Sequence, residues 1–250
     1  MDELSTSFTV VTYNLDGREH NYEERLAAFI SQIKTHSPDV VVVQEGTRLT
    51  FEKLLRELGH LGYKRLLPDI MHHRQMGEMV FSKFPISETR YLSFKLASDN
   101  RGLTIIKIDV WGRKGIWIVT SQFDEKISMK RQQLNSIPAL LRFIPPGDTV
   151  IFGGDTRILE YQDLSAPEGW YDAWYEAGSS EHKFTLDSET NLLANPPFKD
   201  RPDRVWFRLG SESGLYCSEC KLFGYDSQTA ISSHYGVIAT FEFEDLVSDE

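Results

Sequence analysis

Six short polar motifs follow strongly apolar runs in a fixed order along the chain. They are Thr12-Tyr13-Asn14-Leu15-Asp16-Gly17, Gln44-Glu45-Gly46, Thr120-Ser121-Gln122, Gly154-Asp155-Thr156-Arg157, Pro202-Asp203-Arg204 and Ser233-His234-Tyr235-Gly236. The runs before them, above all the valine block Val40–Val43, read as strands buried on two faces. A fold built this way carries Asn, Asp, Glu and His side chains to the same ends of successive strands. Those side chains suit a hard cation and a phosphate, because Mg²⁺ prefers oxygen ligands. The layout points to metal-dependent cleavage of a phosphodiester.

Between the first two strands, Tyr22, Leu26, Phe29, Ile30 and Ile33 recur at helical spacing up to His36-Ser37-Pro38, so the chain opens strand, helix, strand. A second helix is expected from Thr50 to Leu58. Strands follow at Tyr63–Leu66, Met79–Phe81, Arg90–Phe94, Leu103–Val110 and Ile116–Thr120, separated by Gly, Pro or Asn-Arg-Gly turns. A third helix is expected over Lys126–Phe143 with a kink or break at Pro138, then a strand at Thr149–Phe152. Residues 165–202 read as loop with a short aromatic helix at Trp170–Tyr175. Val205–Arg208, Cys220–Phe223 and Val237–Phe243 close the set, and the tail after Glu244 is expected to fray.

The chain has 250 residues, 40% of them apolar and 12% aromatic, enough for one large core. One domain over residues 1–250 is expected. A net charge of -10, from 37 acidic against 27 basic residues, excludes a coat for long nucleic acid, whose energy comes from phosphate neutralisation. A footprint around one scissile phosphate remains open. With neither a leader pattern nor an apolar run of membrane-spanning length, the protein reads as soluble and intracellular. Cys217 and Cys220 are the two cysteines. Their spacing suits a zinc knuckle or redox pair, but a structural zinc needs about four ligands, so two incidental thiols are the simpler reading.

The ordered motifs, with Ser37-Pro38-Asp39-Val40, Tyr171-Asp172-Ala173-Trp174, Phe184-Thr185-Leu186-Asp187 and Asp203-Arg204-Val205-Trp206-Phe207-Arg208, resemble the endonuclease/exonuclease/phosphatase superfamily. Within it they are most similar to the branch that cleaves a 5′-phosphotyrosyl link between nucleic acid and protein. The resemblance implies an α/β fold, a four-layer α/β/β/α sandwich of two mixed sheets flanked by helices, with the site at one end. It implies that Glu45 holds Mg²⁺ (or Mn²⁺) with Asp16 in support and that Asp155 orients or deprotonates the attacking water. Asn14 then donates to the phosphate or to Asp155, and His234 stabilises the phosphoryl oxygens with Asp203 on its other ring nitrogen. The implied partner is a nucleic-acid 5′ end, with or without an attached protein. Without the resemblance, Glu45 reads equally as a carboxylate met by loop amides, Asp16 and Asp155 as turn residues, and His234 as a satisfied strand-end histidine.

Three positions depart from the family pattern. Gln122 stands where relatives carry the His of Thr-Ser-His, Arg157 where they carry the Asn of Gly-Asp-Thr-Asn, and Ser233 where they carry the Asp of Ser-Asp-His. Gln122 still donates, and Arg157 is a strong phosphate partner. Parts of such a site act as a unit, however, and losing one preorganised donor costs ~10²-fold or more in rate. A slowed or altered enzyme is expected, with two alternatives: a pseudoenzyme that binds without turnover, and an esterase for a lipid or other small phosphate ester. Leu186 replaces a family tryptophan, and Met76-Gly77-Glu78 lacks a stacking tyrosine. Trp170, Tyr171, Trp174 and Tyr175 offer another platform or a piece of core. His72-His73-Arg74 and Lys199-Asp200-Arg201 are candidate contacts to a nucleic-acid backbone.

Overall fold

The valine block forms the buried stretch of β2 (Val40–Thr47), which runs parallel to β1 (Ser7–Asn14) after the crossover helix α1 (Tyr22–His36). This computed structural model describes residues 7–18, 20–66, 76–95, 101–194, 198–211 and 213–244. Register places Val10 opposite Val40 and Asn14 opposite Gln44, so the first two polar motifs leave the sheet side by side. From β2 the chain enters α2 (Arg48–His60), where the Thr47 hydroxyl accepts from the Thr50 amide and caps the first turn. β3 (Lys64–Leu66) and β4 (Met76–Ser82) extend this sheet beyond β2.

The second sheet is built from β5 (Ile86–Ser93), β6 (Gly102–Val110) and β7 (Arg113–Gln122), followed by α3 (Ile127–Leu140) and β8 (Thr149–Asp155). β7 and β8 are parallel, the pairing a helical crossover permits. β9 (Tyr171–Asp172) enters α4 (Ala173–Ala177), and β10 (Leu186–Asp187) pairs with β11 (Lys199–Asp200) apart from both sheets. β12 (Asp203–Arg208) then joins β8, while β13 (Leu215–Phe223) and β14 (Gly236–Phe243) return to the first sheet. Strand orders are β13-β14-β1-β2-β4-β3 and β5-β6-β7-β8-β12-β9. Each sheet mixes parallel and antiparallel pairs, and helices cover the outer faces.

The alternation of strand residues produces the layers. Val10, Val40, Val42, Ile118, Ile151, Val205 and Phe241 fill the space between the sheets. Their neighbours Val11, Tyr13, Val41 and Val43 turn outward to meet Phe29, Ile33, Leu54 and Leu58 of α1 and α2. On the far side Val119 and Phe152 meet Leu134 and Ile137 of α3. The sheets approach closely beside the polar motifs, where a Cβ on Gly153 would stand 3.0 Å from Val42 Cγ2. Gly236 is equally constrained, since its Cβ would lie 2.8 Å from the Thr12 carbonyl oxygen.

Some expectations need correction. α3 runs through Pro138 and ends two residues later at Leu140, short of the expected Phe143. The aromatic helix starts at Ala173, and Tyr171 is instead a strand residue stacked on Phe207. Trp174 is buried in the inter-sheet core, whereas Tyr171 and Tyr175 are exposed, so the segment is part core and part surface. Cys217 and Cys220 are free thiols in the same core, with burial pushing Cys217 up to about 12. His72-His73-Arg74 and the tail beyond Glu244 lie outside the described residues. No helix among those described is long and apolar enough to cross a membrane.

Candidate active site at the strand ends

Register alone assembles half of the site. Gln122 pairs with Asp155 at the ends of β7 and β8, and Asp155 pairs with Asp203 at the start of β12. The opposite sheet delivers Asn14 and, one residue beyond Gln44, Glu45. Asp16, Glu45 and Arg157 all have left-handed backbones, with φ of 50°, 56° and 50°. For non-glycine residues this conformation costs free energy, and it is often retained where a side chain must be aimed. At Glu45 it coincides with a register break between β2 and β4, a bulge that turns the carboxylate off the strand.

The two halves are joined by direct hydrogen bonds. Asn14 Nδ2 donates to Asp155 Oδ2 at 2.9 Å and to Glu45 Oε1 at 3.3 Å. Gln122 Nε2 donates to the same two carboxylates, at 3.1 Å and 2.5 Å. Arg101 Nη1 donates to Gln122 Oε1 at 2.8 Å, which fixes the amide with its nitrogen toward the carboxylates. The Gly17 amide reaches Glu45 Oε2 at 3.3 Å, and the Asp16 amide reaches Asn14 Oδ1 at 2.8 Å. Asp16 itself is held by Arg18 Nε and Nη2 and by the Ser233 hydroxyl at 2.9 Å.

On the other side of Asp155, ligand atoms of Asp155, Asp203 and His234 lie within 4.8 Å of one another. His234 Nδ1 is 2.8 Å from Asp203 Oδ2, which also accepts from the Thr185 hydroxyl at 2.6 Å. Burial would depress the imidazole, but Asp203, by charge and hydrogen bond, with Asp155 and Glu45, lifts it to about 9. Burial also lifts the Asp203 carboxyl, against the pull of His234. At neutral pH the pair therefore carries its proton on the imidazole, leaving Nε2 as the ring's second donor. Burial pushes Asp155 up as well, yet the charges of His234 and Arg157 and the bonds from Gln122 and the Arg157 amide leave it below the ordinary carboxylate range. Asp155 is thus an ionised carboxylate beside a cationic imidazole.

Of the eight candidate residues, Asn14, Asp16, Glu45, Gln122, Asp155 and Arg157 are linked by direct hydrogen bonds, and the Asp203–His234 pair lies beside Asp155. Asp16 sits at the edge of the network, joined through Asn14 and its own bond to Ser233. Sequence reasoning missed Arg18, Arg101, Lys130 and Thr185. Arg101 lay in a turn read only as punctuation, and Thr185 in a motif whose role was unassigned. Lys130, a buried lysine of α3 whose Nζ binds the Arg157 carbonyl, had no pattern to reveal it. Of the suggested basic patch, Arg201 is 1% exposed and bonded to Asp172 at 3.0 and 3.1 Å, so it is structural rather than a surface contact.

The model of the Endonuclease/Exonuclease/phosphatase family matches residues 11–209, a span that starts in β1 and runs past Asp203. The chain belongs to that family. Among curated proteins, tyrosyl-DNA phosphodiesterase 2 of Gallus gallus is 26% identical over 95% of this chain and 67% of its own length. The Homo sapiens protein of the same name is 24% identical over 96% of this chain and 69% of its own length. Among solved structures, a humanized D. rerio TDP2 superposes with a TM-score of 0.83 at 22% identity, covering 95% of this chain and all of that one. D. rerio TDP2 complexed with single strand DNA product gives 0.81 at the same identity and coverage of this chain. The family fold is therefore the fold of this chain, two mixed sheets face to face between helices.

Proposed function

We propose that residues 1–250 form one domain that hydrolyses a phosphodiester at a nucleic-acid 5′ end, a 5′-phosphotyrosyl link or a close relative, as the name of the similar curated proteins describes. One observation carries the reading: Glu45 of one sheet is tied through Asn14 and Gln122 to Asp155 of the other, with the Asp203–His234 pair alongside. A hydrolytic site of this kind needs an anionic group to orient water, donors for the phosphoryl oxygens and a countercharge. All three are present within one cluster.

Asp155 orients the water and takes its proton, its ionised state protected by His234 and Arg157. Asn14 and Gln122 keep Oδ2 of that carboxylate aimed by donating to it. His234, held cationic by Asp203, presents Nε2 to the phosphoryl oxygens. The bond formed is from water oxygen to phosphorus. The bond broken is from phosphorus to the leaving oxygen, which departs as an oxyanion and is protonated by solvent, while the water's proton passes from Asp155 to solvent and a 5′-phosphate remains.

The donor chemistry fits a hard divalent ion, Mg²⁺ or Mn²⁺. Glu45 is 21% exposed, and its Oε2 takes a backbone amide at 3.3 Å, which leaves capacity on that oxygen. Mg²⁺ is commonly held by one or two carboxylates, with water and phosphate completing its shell. Glu45 would hold the ion with Asp16 in support, and the bound ion would offset charge on the phosphoryl oxygens. A second reading, a pseudoenzyme that binds phosphate without turnover, is favoured by the Arg157 guanidinium, which lies 3.1 Å from Glu45 and 3.5 Å from Asp155.

A 5′-phosphotyrosyl oligonucleotide incubated with purified protein and Mg²⁺ or Mn²⁺ separates the two. Release of tyrosine that disappears in both Glu45→Ala and Asp155→Ala is the expected result. Absence of metal-dependent release under every condition would select the pseudoenzyme. Gln122→His, Arg157→Asn and Ser233→Asp combined should raise the rate by ~10²-fold or more, the scale of a restored donor.

A further inference from the structure

Arg157 is the residue whose contacts the proposed chemistry least explains. Its amide donates to Asp155 Oδ1 at 2.9 Å and its carbonyl accepts from Lys130, so the turn from which the side chain springs is pinned at both ends. From there the guanidinium places Nη2 3.1 Å from Glu45 Oε1, Nε 3.5 Å from Asp155 Oδ2 and Nη1 3.1 Å from Glu125 Oε1. It is 22% exposed, so the pair with Glu45 is only partly screened by water. Glu45 Oε1 also receives Asn14 and Gln122, so that oxygen is already fully engaged by donors.

A guanidinium is planar, permanently charged and matched to carboxylates. Here it neutralises the carboxylate that the foregoing reading assigns to a divalent ion, in a family where that position carries a neutral asparagine. We propose that Arg157 is a built-in counter-cation, competing with the divalent ion for Glu45 and setting how weakly that ion is held. The inference rests on Glu45 as the ion's carboxylate. It adds that Arg157 determines the affinity of this site, whether or not turnover follows.

Binding of Mn²⁺ alone, followed by electron paramagnetic resonance and by calorimetry, tests this without an activity readout. Arg157→Asn should bind Mn²⁺ at least ten times more tightly than the native chain. Arg157→Gln, which removes the charge but keeps a donor on a longer stem than asparagine, should show the same gain and decides the matter if the asparagine variant misfolds. Arg157→Lys, which keeps the charge, should stay within about threefold of native. Neutral variants within twofold of native would overturn the competition. A gain that persists in Arg157→Asn combined with Glu45→Gln would instead overturn Glu45 as the ion's carboxylate, so the two ideas fail separately.

Discussion

Asp203 acts on the proposed reaction through another side chain. Its carboxylate lifts His234 to about 9, whereas burial alone would lower it. Activity that needs the imidazolium should therefore hold through neutral pH and fall as pH rises through about 9. Asp203→Asn keeps a similar shape but removes the charge, so the alkaline limb of kcat/KM should move toward or below the ordinary imidazole value of about 6.5. A limb that stays in place would show that His234 is not its origin. The same shift bears on stability: a histidine raised on folding stabilises fully below its unfolded value of about 6.5, and that contribution is lost as pH climbs through about 9. At this scale the sequence was informative through the family resemblance its motifs carry, which singled out Asn14, Glu45, Asp155, Asp203 and His234, residues that the fold brings close together. The left-handed backbone of Asp16, Glu45 and Arg157 was not legible, since none is a glycine and nothing local signals a positive φ.

In the β7, α3 and β8 unit the strands carry Gln122 and Asp155 into the site, and the helix braces the turn that follows Asp155. Lys130 faces inward from α3, 3% exposed, binding the Arg157 carbonyl and, at 3.1 Å, Gln162 Oε1. Lys130→Met should cost about 1–3 kcal/mol, the scale of a buried acceptor left without its donor, measured by urea unfolding. It should also broaden any spectroscopic signal from the Arg157 turn. Strands and helices here were legible because apolar periodicity is local: Val40–Val43, the helical spacing of α1 and the alternation in β6 each declare themselves. The long stretch between β8 and β12 was less legible. Its order comes from distant partners, such as Thr185 with Asp203 and Asn191 with the Ser232 carbonyl, which no window of sequence contains.

Across the molecule, one buried network joins β9, β12 and Arg201 just before β12. Asp172 accepts from Arg201 at 3.0 and 3.1 Å, from Arg204 at 3.0 Å and from Trp206 Nε1 at 3.2 Å. Removing the single carboxylate leaves two buried guanidiniums facing each other. Asp172→Asn should therefore cost about 3–5 kcal/mol, the range for breaking a buried pair, and lower the midpoint of thermal unfolding while Arg201→Met combined with it recovers part of the loss. The four layers and their strand order belong to the family, and the valine block with its outward and inward alternation explains why this chain adopts them. The bonds that Asn14 donates to Asp155 and Gln122 donates to Glu45 cross the seam between the two sheets, as do those from Gln44 to Thr120 and from the Gln122 amide to Glu78. Such a reaction centre works as a strain gauge for that seam: low urea that lets the slabs slide by an ångström should silence turnover while circular dichroism still reports intact strands.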